Sequence, residues 1–129
     1  MTRYEAEHDG VRFTRTTNRT YTHVVVGIHT DEHHQARIAS MIKYAECQTA
    51  AIGTRNPWDV GTQEELDARR REAAAGAYAW VEENPEPTWE ALAWCGRRDL
   101  ADAKVRSETK RAARSRVYRE ILAIPVSPA

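Results

Sequence analysis

Along the first thirty positions apolar and polar residues alternate; from Asp31 onward the apolar positions recur at helical spacing. Val11-Arg12-Phe13-Thr14-Arg15 and Thr20 to Ile28 carry the densest β-branched and aromatic content. Asp9-Gly10 lies between two segments able to extend, and Asp-Gly suits a two-residue type I′ turn, whose central positions need positive φ. Asn18-Arg19 offers a second turn without a glycine. With two residues in each turn, His8 faces Val11, Glu7 faces Arg12 and Ala6 faces Phe13. In the second pair Phe13 faces Val24 and Val11 faces Val26. Ala6, Val11, Phe13, Val24, Val26 and Ile28 then share one side. Glu5, Glu7, Arg12, Thr14, Tyr21, His23 and Val25 share the other. The spacing predicts a three-stranded antiparallel meander over residues 1–28.

Four helices are expected to follow, over residues 30–124. Thr30 or Asp31 caps the first, whose buried stripe is Ile38, Met41, Ile42 and Ala45. Gly53 stops it, and Asn56-Pro57 opens a loop that tucks Trp58 onto the core. Thr62-Gln63-Glu64-Glu65 is a capping box for a second helix, with Leu66, Ala73, Ala77, Trp80 and Val81 inward and Arg69, Arg70 and Arg71 in water. Asn84-Pro85-Glu86-Pro87 ends it. Thr88 starts a short third helix with Trp89, Leu92 and Ala93 inward, stopping near Gly96. The last runs from Arg98 to Ala123, with Leu100, Val105, Val117, Tyr118, Ile121 and Leu122 as its apolar positions. The expected fold class is α+β: a meander packed on one face by about four α-helices, in a single domain spanning 1–129.

Composition narrows the classes without choosing one. The chain has 129 residues, 41% hydrophobic and 29% charged, in the range of a soluble globular protein. Nineteen basic residues balance nineteen acidic ones, so no net charge draws the molecule to nucleic acid or anionic lipid. Acids dominate from Asp59 to Glu90, whereas Lys104 to Arg119 holds seven basic residues and one acid, Glu108. Cys47 and Cys95 stand far apart, as reduced thiols of a cytosol do. No window approaches a membrane span and no signal segment is evident, so a cytoplasmic protein is expected.

No constellation carries catalysis in this reading. His29-Thr30-Asp31-Glu32-His33 matches the H-x-x-E-H string of inverted zinc peptidases. His29, however, ends a strand ahead of the helix, so a polar helix start explains the string better than a metal site. His23-Val24-Val25 and His29-Thr30-Asp31 both fail the His-x-Thr/Ser pattern of two-histidine phosphoesterases. Nucleophile elbows, dinucleotide fingerprints and phosphate-binding loops are missing. Neither catalytic residues, metal nor cofactor is therefore expected. Two surfaces remain. The outward sheet face, with Arg12, Thr14, Arg15, Tyr21 and His23, combines interface-favoured residue types and suits a partner protein or a homodimer contact. Lys104, Lys110, Arg111 and Arg114 of the last helix could neutralise phosphates, which makes nucleic acid the alternative partner. A third option is capture of a small nucleotide between protomers by Arg12, Arg15, Tyr21 and His23.

The run from Arg12 to Val26, and within it the Arg15-x-x-x-Arg19-x-Tyr21-Thr22-His23 entry, resembles the opening strands of small uncharacterised accessory proteins from phages of actinobacteria. The resemblance covers about the first quarter of the chain and implies no catalytic residues. It implies a non-enzymatic protein of phage origin that acts in the host cytoplasm by binding and modulating a host bacterial protein.

Overall fold

Asp9-Gly10 forms the tight turn that its residues predict. In the computed structural model, which describes residues 1–51 and 62–129, Asp9 has φ 48° and Gly10 φ 77°, as a type I′ turn requires. The turn joins β1 (Thr2–His8) to β2 (Val11–Thr17). His8 faces Val11, Glu7 faces Arg12 and Ala6 faces Phe13, in the expected register.

The third strand departs from expectation. β3 (His23–His29) does not pair with β2; its antiparallel neighbours are β4 (Trp89–Cys95) and β5 (Tyr118–Pro125). A short β6 (Ser127–Pro128) pairs with β1. The described residues thus form two three-stranded sheets, ordered β2-β1-β6 and β4-β3-β5. Three helices accompany them: α1 (Asp31–Ala51), α2 (Gln63–Glu83) and α3 (Arg98–Ser115). The protein is α+β, but the N-terminal meander and the four helices are corrected. Asn18-Arg19 supplies no glycine for a second tight turn, and the chain uses 18–22 to cross from one sheet to the other.

The inward set nevertheless survives. Ala6, Phe13, Val24, Val26 and Ile28 form one buried cluster with Trp89, and Val11, Trp94, Leu122 and Ile124 pack against it. The residues expected on one face of one sheet instead meet across two sheets. Val25 was expected to face outward, yet it is fully buried on the opposite side of β3, in a cluster with Ala101 and Ile121. Leu92, Val105, Ala112 and Tyr118 surround that cluster, so α3 covers this face. Val24-Val25-Val26 is therefore a strand buried on both sides, which reads as a continuous apolar run and not as an alternating one.

Two bulges account for the misread helices. Along β4, Val25 faces Ala93 and Val26 faces Ala91, leaving Leu92 as an extra residue. Along β5, Ile28 faces Glu120 and His29 faces Tyr118, leaving Arg119 extra. An inserted residue breaks the two-residue alternation. Trp89, Leu92 and Ala93, like Tyr118, Ile121 and Leu122, then show three- and four-residue spacings that imitate a helix. α3 ends earlier than expected because Arg116 takes a left-handed conformation (φ 55°) while its amide still donates to the Ala112 carbonyl.

The chain divides into two compact units, Met1–His33 with Pro87–Ala129, and His34–Glu86. The second is a pair of helices. Both predicted starts are present. The Thr30 hydroxyl accepts from the His33 amide at 3.2 Å, and Thr62 and Glu65 exchange the two bonds of a capping box. Ala45 is buried and Ile38, Met41 and Ile42 are half-buried, as the α1 stripe predicts. The expected stop at Gly53, the loop at Asn56-Pro57 and the placement of Trp58 lie outside the described residues, as does the Ala73 side chain.

Candidate functional site

The outward-face residues do not assemble into one surface. Arg12 and Thr14 are exposed on β2, facing Glu7 and Glu5 across the strand pair. Arg15 falls on the opposite side of β2, with its guanidinium carbon 5.3 Å from the Tyr21 ring centroid. Tyr21 is buried, edge-on to Tyr4 at 5.7 Å and tilted against Trp94 at 6.0 Å. It anchors the loop between the sheets and does not serve as an exposed aromatic. His23 opens β3, half-buried, with Nδ1 2.8 Å from the Thr22 hydroxyl. The fold brings Arg15 and Tyr21 together and separates Arg12 and Thr14 from them.

The histidine string folds into a contact between the end of a strand and the start of a helix. His29, buried at the end of β3, and His33, in the first turn of α1, lie with ring centroids 4.7 Å apart. The Tyr118 ring is also 4.7 Å from that of His29, and Glu90 Oε2 is 3.9 Å from its Nε2. Among the described residues no three metal-capable side chains gather around a common point. His29, His33, Glu90 and Tyr118 all belong to the unit formed by Met1–His33 and Pro87–Ala129.

The basic helix is sorted by its neighbours. Lys104 donates to Glu108 Oε1 at 2.8 Å, and Glu108 is itself buried. The bond from Lys104 holds the Glu108 carboxyl below its ordinary range, against the opposing effect of burial, with the charges of Lys104 and Arg111 adding to it. Lys104 is thereby committed within α3. Lys110, Arg111 and Arg114 remain exposed and border one hollow of about 320 Å³ with Ser107 and Ser115.

A surface absent from the sequence reading lies on the helical pair. His34, buried at the start of the pair, has Nε2 2.8 Å from the Asn84 carbonyl, and Asn84 turns back to bond the Trp80 carbonyl through both its amide and its side chain at 2.9 Å. Because a carbonyl only accepts, His34 carries a proton on Nε2. The Trp80 ring lies tilted against that of His34, centroids 5.8 Å apart, and takes the Arg37 guanidinium at 5.1 Å. Beyond this latch α1 and α2 leave an apolar hollow of about 510 Å³, lined chiefly by Met41, Tyr44, Ala45, Gly76, Ala77 and Trp80. Tyr44 is 68% exposed at its edge, and a Cβ built on Gly76 would meet no atom within 4 Å. The available signal was Gly76, a glycine in the interior of a helix otherwise rich in alanine there.

Set beside known proteins, the chain finds no counterpart: no family model, no curated protein and no solved structure matches it. Among the described residues no helix is long and apolar enough to cross a membrane.

Proposed function

We propose that this chain is a non-enzymatic binding protein whose α1–α2 groove receives an amphipathic helix of a partner protein. The observation that carries the reading is the groove itself, an open apolar trough with an exposed tyrosine, a methionine, a tryptophan and an arginine along it. Those residue types are the ones enriched where partner proteins dock, and a trough between two helices fits the helix-in-groove mode of recognition. Charge supports a basic partner. His34–Glu86 contains nine acidic and six basic residues, so a helix with basic flanks meets a favourable field. The resemblance of the opening strands to phage accessory proteins supports a host bacterial protein as that partner, met in the host cytoplasm.

Gly76 provides the test. Gly76→Leu places a side chain in open space in the trough, and leucine in place of glycine stabilises a helix interior by about 0.5–1 kcal/mol. The variant is expected to melt no earlier than the parent and to lose the partner at least tenfold in affinity. A photo-crosslinker at Tyr44 identifies that partner, and a synthetic peptide of its crosslinked segment supplies the affinity. Peptide binding unchanged by Gly76→Leu overturns the reading. So does a crosslinked segment that is a second copy of this chain.

A further inference from the structure

We infer that the C-terminal half of α3 binds the phosphates of a nucleic-acid backbone, through Lys110, Arg111 and Arg114 with Ser107 beside them. Seven basic residues of the sequence from Lys104 to Arg119 would encircle a helix of that length, but the observed helix stops at Ser115. Arg116 becomes its left-handed cap and Arg119 belongs to β5. Lys104 is taken by Glu108. Four of the seven remain on α3: Arg106, Lys110, Arg111 and Arg114. Positions 107, 110, 111 and 114 form one stripe, following the three- and four-residue steps of a single helical face, and their side chains, without that of Arg106, border one hollow of about 320 Å³.

The charges of that stripe are available. Neither Lys110 nor Arg114 has a carboxylate partner among the described residues, and Arg111, 73% exposed, stands 3.6 Å from a Glu108 oxygen already bonded to Lys104. The surrounding unit adds to the field, with thirteen basic residues against ten acidic. The stripe lies at the negative end of the helix dipole, which opposes an anion with about half an elementary charge. Three cations within two turns outweigh it.

Geometry favours a strand of phosphates over a single small anion. Ser107, Lys110, Arg111, Arg114 and Ser115 are all exposed, so none of them is a buried group fixed around one phosphate and each contact is weak alone. From Ser107 to Ser115 the helix advances about 12 Å, a length over which one strand of B-DNA displays about three phosphates. The three cations occupy about 6 Å of that length, from Lys110 to Arg114, with Ser107 and Ser115 at its ends.

The test is fluorescence anisotropy of the full chain with a labelled mixed-sequence duplex, a single strand of the same length and inorganic tripolyphosphate, each titrated with salt. Three neutralised phosphates predict a slope of log K against log salt of about −2.7 on duplex and about −2 on single strand. The triple variant Lys110→Gln, Arg111→Gln, Arg114→Gln should lose at least tenfold in affinity at low salt and most of the slope. These side chains are exposed, so its melting temperature should stay near that of the parent. Arg97→Gln with Arg98→Gln, at the other end of α3, should leave binding within about twofold. No nucleic-acid binding at low salt overturns the inference, and equal losses in the two variants overturn it as bulk charge. Binding of tripolyphosphate without either strand overturns it in favour of a small-anion site.

Discussion

Glu108 is the residue at which packing and charge meet. Buried on α3, it holds Lys104 at 2.8 Å and lies 3.6 Å from Arg111. Its carboxyl is held below the ordinary range, so the stabilisation it gives is full above that range and is lost as pH falls through its lowered value. Glu108→Gln should destabilise the protein by about 0.5–1 kcal/mol near pH 7. That difference should shrink as pH falls below the ordinary carboxylate range, measured by thermal melts of both proteins across pH. A difference that grows on acidification would contradict the assignment. The Lys104–Glu108 spacing was legible from sequence as an ordinary i,i+4 pair. The burial of Glu108 was not, because it depends on which face α3 turns to the sheet.

At the scale of elements, β3 and its two bulges decide the architecture. A methyl group on Gly27 would stand 3.0 Å from Leu92 Cδ1 and 3.1 Å from Tyr118 Cδ1. Leu92 is the extra residue of one bulge and Tyr118 adjoins the other, so each neighbour is already committed to the α3 side of the sheet. Gly27→Ala should cost about 1–3 kcal/mol, the range for overfilling a packed core, read from the shift in denaturant midpoint. No sequence period reveals this glycine, since its constraint comes from strands more than sixty residues away in the chain. The turn at Asp9-Gly10 and the caps at Thr30 and Thr62 were legible because each is settled within four residues. β4 and the second half of the last expected helix were not, because a bulge gives strand residues helical spacing.

For the whole molecule, Val25 separates the expected arrangement from the observed one. On the outer face of a meander it would tolerate a polar residue; between two packed layers it cannot. Val25→Asp should abolish the folded state of the unit containing β3, since an unpaired carboxylate there costs several kcal/mol. Thr14→Asp, on the exposed side of β2, should shift stability by about 0.5 kcal/mol or less. Circular dichroism and thermal melts of the two variants distinguish the cases. The two proposed surfaces divide along the units: an apolar trough in the acidic helical pair and a basic stripe on α3 in the other unit. Neither rests on the Arg12–His23 face, whose tyrosine is spent on internal packing.

The sequence by itself determined the first hairpin and its register, the helix starts at Thr30 or Asp31 and at Thr62, the α+β class and the inward residues from Ala6 to Ile28. All of these depend on interactions between near neighbours or on side-chain alternation. Only the tertiary structure decided that the inward residues meet across two sheets, that β3 is covered on both faces, and that three of the basic residues share a stripe. Backbone hydrogen bonds can be completed by whichever strand lies alongside. Which strand that is depends on the apolar surface the whole chain can bury, and no local pattern states it.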